Sequence, residues 1–162
     1  MADVAQKDEV YSLLMPAAGD SVLLPNVAVA EVVPYFGNVD KPLPGAPQFL
    51  LGYLQWRGRH VPLLAIEVLN GLEMPQLTRL SRLAILNTLS GGADVPYIAI
   101  IVGGIPRLTR VQPGLLTAVD TTGFPVARAR AHLAGGTVQI PDIDKLEQLA
   151  RDNIAFKPEK MG

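Results

Sequence analysis

Hydrophobic positions in this chain fall in short runs of β-branched residues and Leu, broken by Gly, Pro and charge. Eight runs have strand length: Val10 to Met15, Ser21 to Leu24, Tyr53 to Trp56, His60 to Ala65, Leu83 to Leu89, Tyr97 to Val102, Leu115 to Thr121 and Thr137 to Ile140. Such runs bounded by turn signals predict a mainly β protein. The turn signals are Ala18-Gly19-Asp20, Arg57-Gly58-Arg59, Ser90-Gly91-Gly92 and Gly135-Gly136, where Gly accepts the positive φ of a tight hairpin. With 14 prolines and 15 glycines spread along the chain, long helices are disfavoured. Three short helices are predicted: Asn26 to Val33 with Asn26 as its cap, Ile66 to Leu72, and Ile143 to Asn153. The last has Ile143, Leu146 and Leu149 at helical spacing and Asp142 and Asp144 near its positive end. The tail beyond Asn153 is expected to fray.

An internal repeat organises these elements. Gly58 to Leu72 falls on Gly135 to Leu149 at an offset of 77, and each copy reads turn, strand, short helix. Leu13 to Leu24 around Gly19-Asp20 resembles Leu86 to Ile98 around Gly91 to Asp94, with Asp20 matching Asp94 at an offset of 74. The reading is two β-rich subdomains of like plan, about 10–75 and about 80–150. A helix and tail over 143–162 follow, and the division lies near Glu73 to Ser81. They pack together because neither half alone buries much surface.

Composition narrows the chemistry. The chain has 162 residues, a formal charge of −1, 49% hydrophobic and 18% charged residues, which is the balance of a folded domain. A net charge near zero removes the electrostatic case for nucleic acid or an anionic membrane as the main partner. The absence of cysteine excludes disulfides, thiolate nucleophiles and zinc–cysteine sites. Met1 to Glu9 has no apolar run to act as a secretory signal, and no uninterrupted apolar stretch is long enough for a membrane span, so a cytoplasmic protein is expected. His60 and His132 stand alone without ligand-like carboxylates, and Gly103-Gly104-Ile105-Pro106 leads into a strand-like stretch instead of a helix, so neither a metal site nor a phosphate cradle is read. No cofactor is expected. Residues 1–80 carry 5 basic and 8 acidic groups (−3) and residues 81–162 carry 9 and 7 (+2). Arg107, Arg110, Arg128 and Arg130 form basic pairs that read as a solvated patch or as an acidic docking site, with Phe124 the one aromatic nearby.

The run from Leu43 to Leu64, LPGAPQFLLGYLQWRGRHVPLL, together with Ala30-Glu31-Val32-Val33 upstream, resembles the CheW family. In that family a proline-rich loop leads into a strand ending Asn-Leu-Arg-Gly and then into a strand containing Val-Pro. The resemblance implies two intertwined SH3-like subdomains, each a five-stranded β-barrel, and no catalytic activity. It implies an adaptor between the cytoplasmic tip of a methyl-accepting chemoreceptor and the regulatory domain of a CheA-type histidine kinase. Two departures stand out. Gln55-Trp56 replaces the common Asn-Leu, and Gly104 to Val111 lacks the usual Gly-x-x-Val-Asp-x-Val. Such divergence is similar to that of accessory CheW-like proteins, including those of type IV pilus twitching motility.

The candidate docking residues are Glu31, Tyr35, Gln55, Trp56, Arg57, Gly58 and Arg59. A helix carrying Glu31 is expected beside the Arg57-Gly58 turn, where a charge-assisted Glu31–Arg57 pair either fixes a docking turn or holds the local fold. Trp56 is either an interface anchor or a core residue with Arg57 pointing outward. Gly58 is required by the turn, and Tyr35-Phe36-Gly37 is either an exposed aromatic contact or a cover on the core. Two other classes stay open. One is an enzyme using carboxylates and His60 in a polar cleft. The other is a structural protein that self-associates, weakly, through a sheet edge.

Overall fold

The computed structural model describes residues 9–17, 19–90, 94–133 and 135–159. Twelve strands form two six-stranded sheets. In chain order they are β1 (Val10–Met15), β2 (Ser21–Pro25), β3 (Val29–Pro34), β4 (Val39–Asp40), β5 (Leu50–Trp56), β6 (Arg59–Leu64), β7 (Arg82–Asn87), β8 (Tyr97–Val102), β9 (Arg107–Val111), β10 (Thr117–Val119), β11 (Ala127–Leu133) and β12 (Gly136–Pro141). Helix α1 (Ile66–Leu69) follows β6 and α2 (Ile143–Asp152) follows β12. The first sheet runs β10-β11-β12-β2-β1-β9 and the second β3-β7-β8-β6-β5-β4.

The repeat is realised strand for strand. β6 and β12 begin and end 77 residues apart, as do the starts of α1 and α2, and both strands are the outgoing arm of a hairpin that turns at Gly58 or Gly135. Each then pairs in parallel with a strand of the second matched hairpin, β6 with β8 and β12 with β2. The two halves, however, are not consecutive. The second sheet is built entirely from β3 to β8, whereas the first combines β1 and β2 from the amino end with β9 to β12. The chain therefore changes sheet at 26–28 and again at 103–106, not between Glu73 and Ser81. Each sheet has six strands where the resemblance implied five, and among the described residues neither ladder closes into a full barrel.

Two segments differ from their sequence patterns. Asn26 opens only a three-residue 3-10 turn, and Val29–Pro34 is a strand. Three Val residues in that stretch carry the stiff χ1 that suits a pleated surface, and the strand finds a long partner in β7. Strand β11 was hidden because its inward positions are Ala127, Ala129 and Ala131, too weakly hydrophobic to register as a run. The Ser90-Gly91-Gly92 turn lies partly outside the described residues.

Side-chain alternation divides the interior into three clusters. Val22 and Leu24 of β2 join Ile98, Ile100 and Val102 of β8 in a large cluster between the sheets, completed by Ile143, Leu146 and Ala150 of α2. On the other face of β8, Ala99 and Ile101 join Leu54, Trp56, Val61, Leu63, Leu83 and Ile85 inside the second sheet. Leu23, Val111, Ala131 and Val138 fill the first sheet. Helix α2 thus follows the first sheet but packs on β6 and β8 of the second. Its amino end is capped by Asp142, whose Oδ1 accepts from the Lys145 N–H at 3.2 Å. The tail does not fray at Asn153: the Leu43 N–H donates to the Phe156 carbonyl at 2.8 Å, and the half-buried Phe156 ring packs on the central cluster.

Glu67 in α1 is a buried acid, and burial pushes its carboxyl above the ordinary range. Because the folded state then holds its proton more tightly than the unfolded chain, stability falls as pH rises out of the ordinary carboxyl range. Glu67→Gln is accordingly expected to raise the unfolding midpoint at pH 7, with the gain vanishing in acid. Denaturant titrations of both chains across that range check this.

Candidate functional site

The hairpin β5–β6 closes through the Trp56–Arg59 pair, leaving Arg57 and Gly58 as a two-residue turn with φ of 48° and 72°. Positive φ at both positions is the type I′ geometry that matches strand twist. Gly adopts it freely, but Arg57 is the one non-glycine residue with positive φ among those described. Holding an arginine there costs about 1 kcal/mol relative to Gly.

Glu31 supplies the compensation, from strand β3 and not from a helix. The second sheet curls far enough for its edge strand to reach the β5–β6 turn. There one carboxylate oxygen of Glu31 accepts from the Trp56 indole N–H at 2.9 Å and from Arg57 Nη2 at 3.1 Å. The Arg57 guanidinium also lies over the indole ring, 4.6 Å from its centroid, a favourable cation–π placement. Trp56 itself is core, only 8% exposed, and the Tyr97 ring meets it edge-on at 4.9 Å. Arg59 lies over the Tyr97 ring, 5.7 Å from its centroid. The outcome is an arginine whose side chain is 69% exposed yet held at two points.

The opposite face of the same hairpin carries a second cluster. The Gln55 amide donates to both oxygens of Asp40 at 3.0 and 2.8 Å, and His60 Nε2 meets Asp40 Oδ2 at 2.8 Å. The hydrogen bond from His60, then that from Gln55, holds the Asp40 carboxyl below its ordinary range. Strand alternation therefore places Gln55 and Trp56 on different faces. Tyr35 is half-buried against the Trp56 cluster, with its N–H on the Ser81 carbonyl at 3.3 Å, while the neighbouring Phe36 is 74% exposed.

The arginines of the first sheet do not form one patch. Arg130 is locked by Asp20 at 2.7 Å and lies over the Phe124 ring at 3.8 Å, and Arg110 lies over Tyr11. Only Arg107, Arg110 and Arg128 remain exposed. Tyr97 and Asp40 are the site residues that the sequence did not single out. Tyr97 opens a run read only as a strand, and Asp40 sits on a two-residue strand too short to leave a pattern.

Among the described residues no helix is long and apolar enough to cross a membrane. A sequence search of curated proteins gives no match. Residues 12–150 match the CheW-like domain. The chain belongs to the CheW-like domain family. Its fold is similar to the crystal structure of the scaffolding protein TtCheW from Thermoanaerobacter tengcongensis. The TM-score is 0.68 at 18% identity, over 82% of this chain and 83% of that one. CheW-like proteins are non-catalytic adaptors of chemotaxis signal transduction, which replaces the enzymatic alternative. A cavity of about 280 Å³ does adjoin His60, lined also by Arg59, Asp94, Tyr97, Lys157 and Glu159. Yet the His60 side chain is 3% exposed and its Nε2 is occupied by Asp40, an arrangement that braces the hairpin of a CheW-like adaptor.

Proposed function

We propose that this CheW-like chain works in the cytoplasm, coupling the cytoplasmic tip of a methyl-accepting chemoreceptor to the regulatory domain of a CheA-type histidine kinase. The β5–β6 turn is the docking point. Glu31, Trp56 and Arg57 form its ionic tip, Gly58 its bend, and Tyr35, Gln55 and Arg59 its flanks. The observation that carries this reading is Arg57: a strained, exposed arginine fixed by Glu31 and by stacking on a buried ring. A turn needing only to close would use Asn or Gly at that position. An arginine kept there at a conformational cost, with its charge facing solvent, suits recognition of another protein. The departures at Gln55-Trp56 and over 104–111 favour an accessory chemosensory system, such as one governing type IV pilus twitching motility, over the flagellar one.

The test is reconstitution of the full chain with the kinase regulatory domain and the receptor cytoplasmic fragment encoded beside it. A complex containing all three, resolved by analytical ultracentrifugation, is the expected result. Binding of neither component would overturn the reading, and concentration-dependent growth of the chain alone would point to self-association through its free sheet edges.

A further inference from the structure

The geometry points to Trp56 as a positioning residue that aims Arg57 at an acidic side chain of the docking partner. This rests on the docking reading above. A leucine at position 56, as in the motif the hairpin resembles, takes the same core position but has neither a donor nor a ring face. Trp56 adds both. Its indole N–H takes the same Glu31 oxygen that Arg57 uses, so that oxygen is anchored before Arg57 reaches it. Its ring face, 4.6 Å below the guanidinium centre, holds the fork flat instead of leaving it to sweep through the rotamers of a long exposed side chain. Tyr97 packs edge-on against the indole at 4.9 Å and blocks its own rotation.

What remains free defines the partner's chemistry. Among the described residues, Nε and Nη1 of Arg57 make no hydrogen bond to the protein. Nη2 gives one N–H to Glu31 and keeps a second, and because Nε–H points to the side of Nη2, away from Nη1, the fork that remains pairs this second N–H with Nη1 or with Nε as a planar set of two donors. A carboxylate matches that fork with two parallel bonds, whereas a lysine or hydroxyl does not. Pre-ordering the fork reduces what must be ordered on association, so Trp56 contributes to affinity without touching the partner.

The test uses the full chain with the kinase regulatory domain. Trp56→Phe keeps the ring face and most of the volume but loses the donor, and its affinity is expected to fall about threefold to tenfold. Trp56→Leu loses both and should fall further. Glu31→Gln, a change outside the core, should weaken binding by a similar factor to Trp56→Phe. Because Trp56 is the only tryptophan, fluorotryptophan labelling of the otherwise unaltered chain gives a single fluorine resonance. That resonance should shift as the unlabelled kinase domain is added. A resonance unmoved at saturation, or folded Trp56→Phe and Glu31→Gln proteins binding as tightly as the parent, would overturn the positioning role and leave the docking reading intact. Failure of the parent chain to bind either component overturns both.

Discussion

Arg57→Glu is expected to abolish association with the kinase regulatory domain while leaving the chain folded. The substitution acts twice at one point. It removes the donor edge offered to a partner, and it places a second carboxylate where Arg57 Nη2 now lies 3.1 Å from Glu31 Oε1. Truncating one partner of a desolvated charge pair commonly costs about 2–5 kcal/mol of binding, and reversal adds repulsion, so a loss of at least about thirtyfold in affinity follows. The fold should tolerate it. The parent Glu31–Arg57 pair is largely solvated, and pairs of that kind contribute only about 0–1 kcal/mol. The charge carries the prediction, so Arg57→Asn is the paired control: Asn adopts positive φ readily and keeps the turn while removing the cation. Calorimetric titration of all three proteins, with unfolding midpoints measured alongside, decides the matter. A folded Arg57→Glu chain binding within about threefold of the parent would mean that the turn is only architecture.

How much of this was legible follows from what each segment advertises. The strands that form the shared core, β2 and β6 to β8, carry continuous apolar runs because both of their faces are buried there, and such runs stand out in a sequence. The hairpin turns announced themselves through Gly58 and Gly135, and the 77-residue repeat fixed the equivalence of β6 with β12 to the residue. Edge strands advertise much less. β3 and β9 are paired on one side only and almost all of their residues are half-buried or exposed, so neither forms a continuous apolar run, and Glu31 falls in a segment whose sequence reads as a helix. Nor does any local pattern say which strands share a sheet. The repeat suggested two consecutive halves, but the amino-terminal hairpin completes the sheet whose other strands come after residue 106. That swap is a long-range packing outcome, bringing α2 onto β6 and β8. At the site the Glu31–Arg57 pair was foreseeable from charge and motif. The shared carboxylate oxygen and the Tyr97 brace were not, because they depend on the curl of the sheet.

Gly52→Ala should be the most damaging single methyl addition in the second sheet. Gly52 lies at a register shift in β5, where two residues oppose one on β6, and β4 runs beside it as the antiparallel neighbour, with Asp40 paired to the adjacent Tyr53. A Cβ there would fall inside contact range of the Asp40 carbonyl oxygen and 2.8 Å from Val39 Cγ1. The obstacle is backbone, so no rotamer change relieves it; either β4 lifts away or β5 shifts, and β5 is pinned by the fully buried Leu54 and Tyr53. Lifting β4 withdraws Asp40 from His60 and Gln55 together, removing the polar bracing on one face of the hairpin. Overpacking of this kind costs about 1–3 kcal/mol before those bonds are counted. A total near 3 kcal/mol lowers the midpoint of a chain this size by about 10 °C. Gly37→Ala isolates the contribution of the clash: its φ is 84°, but nothing lies within 4 Å of the added methyl, so only backbone strain of about 1 kcal/mol applies. Binding should separate the two faces of the hairpin. Glu31, Trp56 and Arg57 are anchored through β3 and the opposite core, so folded Gly52→Ala protein, measured well below its midpoint, should retain most of its affinity for the kinase domain. A thermal midpoint equal to that of Gly37→Ala would show that β4 yields without cost and that Asp40 does not brace the docking hairpin.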